Sequence, residues 1–477
     1  MSKLLGLRLC DHDSNISYYD GTTTHYFKSE RKYQEKHHGY NNFFDWKQEI
    51  KDLWNVDYRE LDHIAIVADK DFDLDVNCQV TKVDHHLAHA LSCFPVETTP
   101  TQYQIVIDGY GDEMNTWTVF KDYHTVRRGY VHEHGSLGIA MCEASQLLGI
   151  HAPMWLDGPG KLMSLQSYGT VDEKYLDKIY KLSIRDINEI FSKEKWIDHC
   201  GDELVARSRA LDWIATVHTA MIDVLISFFE EVTNNDYMAH ISYSGGCALN
   251  VVWNSYLKDT FPNLVIPPHC ADEGLSLGAL KFIANDLQLD NFPFVQSDQT
   301  TDTVSETTLH TIAKALQQGK IVAWYQGNGE LGPRALGHRS ILMDPTIPNA
   351  KDIINKIKNR ENYRPFGASV LAEDSNLYFG FDYKNEHMLY VGTVKDKRLQ
   401  AVTHVDGTCR FQTVDSKNKN FYNLLQAYKK QTGDSVLLNT SFNIAGKPLM
   451  SNTKDAIKYL KQSEIDLLVI GDTIYGE

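Results

Sequence analysis

Residues 236–261, DYMAHISYSGGCALNVVWNSYLKDTF, decide the fold. An apolar run of strand length breaks at Gly245-Gly246, and a stretch of helix length follows. A strand that feeds a glycine turn and then a helix is the unit of a layered α/β domain. The same pattern recurs on both sides. LVIPPHCADEGLSLGALKFIAN (264–285) reads as a strand end, a loop and a helix. KLLGLRLCDHDSNISYYDG (3–21) and QYQIVIDGYGDEMNTWTVFKD (102–122) each read as two strands around a polar or Gly-broken turn. LHTIAKALQQGKIVAWYQG (309–327) reads as a helix and then a strand. Between these patterns lies DNFPFVQSDQTTDTVSE (290–306), polar and without helical period, which reads as a linker. The expected division is one α/β domain over 1–295 and a second, smaller α/β domain over 305–477.

The totals narrow the function. The 477 residues allow two to four domains, and 42% hydrophobic with 23% charged residues is globular composition. A formal charge of -16 argues against general nucleic-acid coating, which needs a basic face. No run of eighteen apolar residues implies a membrane span, and the apolar start breaks too soon for a secretion signal. The eight cysteines form no CxxC pair and read as free thiols of a cytoplasmic protein.

VDHHLAHALSCF (83–94) holds three histidines in five positions. On a helix, His85 and His89 share a face one turn apart, a spacing that can hold one metal ion. Two partly exposed helix histidines are the competing reading, and His86 points elsewhere. Asp108 ends a buried strand, where a carboxylate is costly unless paired. Asp272 precedes a helix, so it is a metal ligand or a plain N-cap. Asp108 could equally be a turn residue. Two His and two Asp suit Fe(II), Mn(II) or Zn(II). Gly245 and Gly246 let backbone approach a ligand and open onto helix N–H groups that suit an anion, or simply make a turn.

ELGPRALGHRSILMDP (330–345) sets Arg334 and Arg339 in a frame of Gly332, Pro333 and Gly337. Lys356, Lys358, Arg360 and Arg364 follow. Residues 331–364 carry seven Lys/Arg against three Asp/Glu, in an acidic chain. Guanidinium groups suit phosphate, whereas a solvated basic face is the competing reading. The turn frame favours Arg334 and Arg339 over the spaced lysines. Asn439, Thr440, Ser441, Asn443 and Lys447 in LLNTSFNIAGKPL (437–449) are loop or ligand rim.

Taken in order, HDSN, SERKYQEKHHG, HHLAHA, DGYGDE, GKLMSLQSYG, SGGCALN, DEGLSLGA, GPRALGHRSILMDP, NYRPFGASVL, HVDGTCRFQTV and LLNTSFNIAGKPL span nearly the whole chain. Together they resemble the O-carbamoyltransferase family of nodulation-factor and antibiotic biosynthesis. The resemblance implies an actin-like/sugar-kinase (ASKHA) domain followed by a YrdC-like domain. The second would make carbamoyl-adenylate from carbamoyl phosphate and ATP, with Mg(II) accompanying the ATP. The first would pass the carbamoyl group to a hydroxyl of a small molecule or nucleotide. It further implies iron on His85, His89, Asp108 and Asp272. Nucleotide contacts are implied at Gly245, Gly246, Asn250 and Lys161, with phosphate contacts at Arg334, Arg339 and Arg364 and a ligand rim of Asn439, Ser441 and Asn443. His12 and Asp13, in the first hairpin turn, are candidates to move the acceptor's proton, or form an Asx-type turn.

The chain departs from the family pattern in four ways. Asn328 stands where a basic residue is usual, GKLMSLQSYG replaces a GLAPYG-like ending, Cys247 replaces a valine, and the chain is shorter. Two other functions stay open: a threonylcarbamoyl-transfer-like enzyme acting on tRNA adenosine, disfavoured by the acidity, and a non-catalytic nucleotide-binding scaffold. A homo-oligomer is compatible with the sequence.

Overall fold

The computed structural model describes residues 2–40, 45–150, 154–179, 182–191, 206–296 and 303–476. The chain divides into two units. Unit 1 is Met1–Thr24 with Gly39–Gln288, and unit 2 is His25–His38 with Leu289–Glu477.

Unit 1 contains two sheets built on one plan. In the first, Leu4–Leu9 pairs antiparallel with Asn15–Tyr19, then parallel with His63–Ala68, which pairs parallel with Gln79–Lys82. In the second, Tyr103–Ile107 pairs antiparallel with Asn115–Lys121 and parallel with Ile241–Ser244. Each plan is thus a hairpin followed by parallel strands. The helices His85–Leu91 and Leu275–Ile283 pack on each other, one against each sheet. Their contact is close because Gly278 has no side chain: a Cβ there would stand 1.8 Å from the Ala88 carbonyl oxygen. Ala65, Val67, Ala88, Leu275 and Ala279 fill the layer between. Unit 1 therefore has the expected actin-like/sugar-kinase layout, and the predicted hairpins and the strand–glycine–helix unit are all present.

The long helix Ala206–Thr233 packs within unit 1. Its stretch Arg209–Thr233 is long and apolar enough to cross a bilayer by composition, which the sequence reading did not register. Burial accounts for that apolarity, since Trp213, Val217, Met221, Leu225 and Phe229 are all inaccessible. Seven described cysteines are free thiols.

Unit 2 has an eight-stranded mixed sheet. Its order is Val391–Thr393, Thr408–Val414, Gly367–Leu371, Val436–Ser441, Arg339–Met343, Val322–Tyr325, Leu467–Ile470, Thr473–Gly476. Helices Glu306–Gln317 and Lys419–Thr432 cover one face, with Leu316, Trp324, Phe421 and Leu437 in the core.

The division corrects the boundaries drawn from sequence. The supposed linker holds a strand, Phe294–Gln296, which pairs with Gly329–Glu330 and, through Gln296, with Tyr26 of Thr24–Lys28. Pairing, not composition, thus assigns 290–296 and 25–38 to unit 2. Residues 297–302 of that stretch lie outside the described residues.

Candidate functional site

Asp84 starts the short helix His85–Leu91 by accepting the Leu87 N–H, and the i, i+4 spacing then sets His85 and His89 on one face. Strand Tyr103–Ile107 ends at Asp108, and the turn Asp272–Gly274 opens the next helix. All four side chains are buried, and their donor atoms lie within 4.8 Å of one another. The His85 and His89 Nε2 atoms each stand 3.2 Å from Asp108 Oδ2. They are 3.6 and 3.4 Å from Asp272 Oδ1. Asp272 makes no capping bond of its own, so the N-cap alternative falls away. His86 faces elsewhere, bonding Thr118 Oγ1 through Nδ1 at 2.8 Å.

The second oxygen of each carboxylate is already engaged. Asp108 Oδ1 accepts the Gly246 N–H at 2.8 Å. Asp272 Oδ2 accepts from Arg8, 2.8 Å away and itself 1% exposed. Burial opposes charge on His85, but Asp272 and Asp108 outweigh it and raise its pKa to about 9. Burial likewise opposes ionisation of Asp108 and Asp272. For Asp108 the two histidines overcome it, and for Asp272 Arg8 and the histidines do, so both stay well below the usual carboxylate range. Two imidazole nitrogens and two ionised oxygens, converging and shielded from water, fit a divalent cation with N/O preference.

Gly245 makes the geometry possible. Its φ is +94°, and a Cβ there would stand 2.2 Å from the Ile107 carbonyl oxygen. The sequence reading gave Gly246 and Asn250 to a nucleotide. The structure spends the Gly246 N–H on Asp108. Asn250 caps helix Val251–Thr260 by accepting from Val252 and Trp253, and its amide donates to His218 Nε2 at 2.9 Å. Its side chain is a structural cap, which corrects the assignment. Lys161 lies on helix Gly158–Leu165, packed against Leu137–Leu147.

His12 and Asp13 sit in the hairpin turn, with His12 Nδ1 3.2 Å from Asp13 Oδ2 and 4.0 Å from Asp272 Oδ2. They therefore adjoin the four-donor cluster. Burial opposes charge on His12, but Asp13, Cys10 and Asp272 hold its proton up to about 12. In this arrangement it donates a proton rather than accepts one.

Unit 2 carries a second cluster. Lys358, 6% exposed, donates to the Ser441 carbonyl oxygen at 2.7 Å and also to Asn443 Oδ1. Burial lowers its pKa strongly, as do the charges of Arg360, Arg364 and Lys36. Arg360 is pushed down to about 9 by burial and by Arg364. Arg410 is pushed down by burial and by Arg334, Arg360 and Arg364. Glu361 stands 3.7 Å from Arg364. Cations crowded until they depress one another form a site for an anion.

Arg334 and Arg364 thus join this cluster, and Ser441 and Asn443 rim it. Arg339 does not, which corrects the sequence reading. It is fully buried and gives its N–H groups to the carbonyls of Gln326, Gly327, His338 and Met450, while its guanidinium lies 3.5 Å from the Tyr325 ring centroid. It is a clamp for the loop. Asn439 is mainly a strut, donating to Ser369 Oγ and the Ala335 carbonyl. Arg410 was missed and Lys358 undervalued. The available signal was a charge inside an apolar strand, CRFQTV, and Arg8 in LLGLRL carried the same signal.

Residues 5–280 match the family described as Carbamoyltransferase N-terminus, and residues 313–476 match Carbamoyltransferase C-terminus. The chain is 30% identical over 441 residues to nodulation protein NolNO of Sinorhizobium fredii, a match spanning 82% of this chain and 63% of that protein. It is also 30% identical to the 3'-hydroxymethylcephem-O-carbamoyltransferase of Amycolatopsis lactamdurans, over 82% of this chain and 79% of that protein. Among solved structures, full-length HypF in its phosphate- and nucleotide-bound form is 15% identical with a TM-score of 0.38, over 58% of this chain and 46% of that one. That structural likeness is too low to bear on function. The two family matches and the two relatives place the chain in the carbamoyltransferase family of enzymes.

Proposed function

We propose that the chain is an ATP-dependent O-carbamoyltransferase whose acceptor is a hydroxyl of a small molecule or nucleotide. One observation carries this: Arg334, Arg360, Arg364, Arg410 and Lys358 gather in unit 2, where burial and neighbouring charge hold Lys358, Arg360 and Arg410 below their usual values, a setting that suits a polyphosphate or acyl-phosphate ligand. Arg334, Arg360, Arg364, Arg410 and Lys358 would hold ATP and carbamoyl phosphate there. Water hydrolyses carbamoyl phosphate to carbamate and inorganic phosphate. A carbamate oxygen then attacks the α-phosphorus of ATP, pyrophosphate leaves, and carbamoyl-adenylate forms. The fixed arginines offset the charge that develops on the phosphates. This assigns unit 2 as the YrdC-like half.

The second step belongs to unit 1. The acceptor oxygen attacks the carbamoyl carbon, and AMP leaves. A divalent ion on His85, His89, Asp108 and Asp272, with Fe(II), Mn(II) and Zn(II) all suited, would supply a positive charge for the leaving phosphate. Gly246 and Arg8 orient its carboxylates. The Asp13 carboxylate is placed to take the hydroxyl proton, and His12, which carries a proton of its own, to donate from Nε2 to the leaving phosphate.

The test is to supply ATP and carbamoyl phosphate and follow pyrophosphate. Release is expected, and no release with any acceptor would favour a nucleotide-binding scaffold. Carbamoyl label appearing on tRNA rather than on a small alcohol would move the chain to the tRNA-modifying class.

A further inference from the structure

We infer that Arg8 is a positioning residue that holds Asp272 to a single metal-facing oxygen and keeps the bound cation exchangeable. This rests on the metal assignment proposed above. Arg8 lies on the strand Leu4–Leu9, opposite Val67 in the parallel register, which brings its side chain beside Asp69 and Asp272. One terminal nitrogen is 2.7 Å from Asp69 Oδ1 and the other 2.8 Å from Asp272 Oδ2. Arg8 is buried and its Nε meets no partner, so these two carboxylates are what hold it. Asp69 is half-exposed and serves as the outer anchor.

The two carboxylates of the cluster are held differently. Asp108 is pinned through its outer oxygen by a neutral N–H from Gly246. Asp272 is pinned by a full positive charge. Both are thereby limited to one inward oxygen, but a guanidinium withdraws more charge from its carboxylate than an amide does. Arg8 also sets a positive charge directly against the ion, partly offset by half-exposed Asp69 and with little water to screen it. Asp272 is therefore the weaker ligand, and the side of the ion it faces is the side that opens.

The experiment uses the full chain with Mn(II) as probe. Affinity is read by electron paramagnetic resonance and exchangeable water on the bound ion by water-proton relaxation. Arg8→Met keeps the length and removes the charge and the donors. Freed from its clamp, Asp272 should offer both oxygens. With the repelling charge gone, binding should tighten about tenfold, and the count of exchangeable waters should fall by about one. Arg8→Lys, which keeps the charge, should stay close to the parent in both readings. Unchanged or weaker binding with unchanged hydration in Arg8→Met would overturn the inference. If Arg8→Met shows no folding transition, Arg8→Lys decides, and a water lost there would overturn it. A parent chain that binds no Mn(II), or a His85→Ala/His89→Ala chain that binds it equally well, would instead refute the metal assignment itself.

Discussion

Asp108 and Asp272 come from distant parts of the chain, yet each presents one oxygen to the same two imidazoles. Removing the imidazoles leaves two carboxylates facing each other without a nitrogen donor. Replacing His85 and His89 by Ala together should lower metal affinity at least about a hundredfold, measured as metal content after dialysis. Arg334→Ala should slow pyrophosphate release by about a hundredfold or more, because the loss falls where charge develops. Arg339→Ala should behave differently, lowering the melting temperature through the four carbonyls it leaves without donors. The HxxxH spacing made the histidines legible in the sequence. Arg339 was misread because GPRALGHR shows two arginines in one frame, and only the backbone path turns one inward. Arg8 and Arg410 went unread because a strand's register, which aims them, is set by strands far away in sequence.

Helix Val251–Thr260 depends on its first residue. Asn250 accepts two backbone N–H groups and donates to His218, which stacks on Trp253 at 4.8 Å. Asn250→Ala should cost about 1 kcal/mol for the cap, read by denaturant unfolding. His218 links that junction to pH. Burial lowers its pKa to about 3 even though Asn250 opposes the shift. Between its unfolded value near 6.5 and about 3, the unfolded chain binds one more proton than the folded one. The stabilisation is therefore complete above about pH 6.5 and is lost as pH falls. From about pH 6.5 to 5 the parent should lose about 2 kcal/mol that a His218→Gln chain does not. At this scale the sequence was informative, since the hairpins, the Gly-Gly turn and the histidine helix all lie where periodicity and turn residues put them. It failed at Phe294–Gln296, because three strand residues in a polar stretch show no period.

Two units with separate clusters should respond to separate ligands. Mn(II) should raise the melting transition of unit 1, and ATP with carbamoyl phosphate that of unit 2, with scanning calorimetry resolving the two. A single ligand that shifted both transitions equally would count against the division of labour. The presence of two α/β units was legible from the alternation of strand and helix patterns. That the second unit borrows residues 25–38 was not, because such an exchange leaves no mark on composition.

That borrowing bears on synthesis. The borrowed segment is tied down by Arg31, which donates to the carbonyls of Glu330 and Gly332, and by Ser451, which donates to the Arg31 carbonyl. Tyr26 pairs with Gln296, 270 positions on. At roughly 5–20 residues per second on the ribosome, that pairing waits on the order of ten seconds to a minute. A gene cut at position 289 would yield a second half born without its own first strand. The second half alone should therefore fold only when residues 25–38 are supplied, either by the first half or as a peptide.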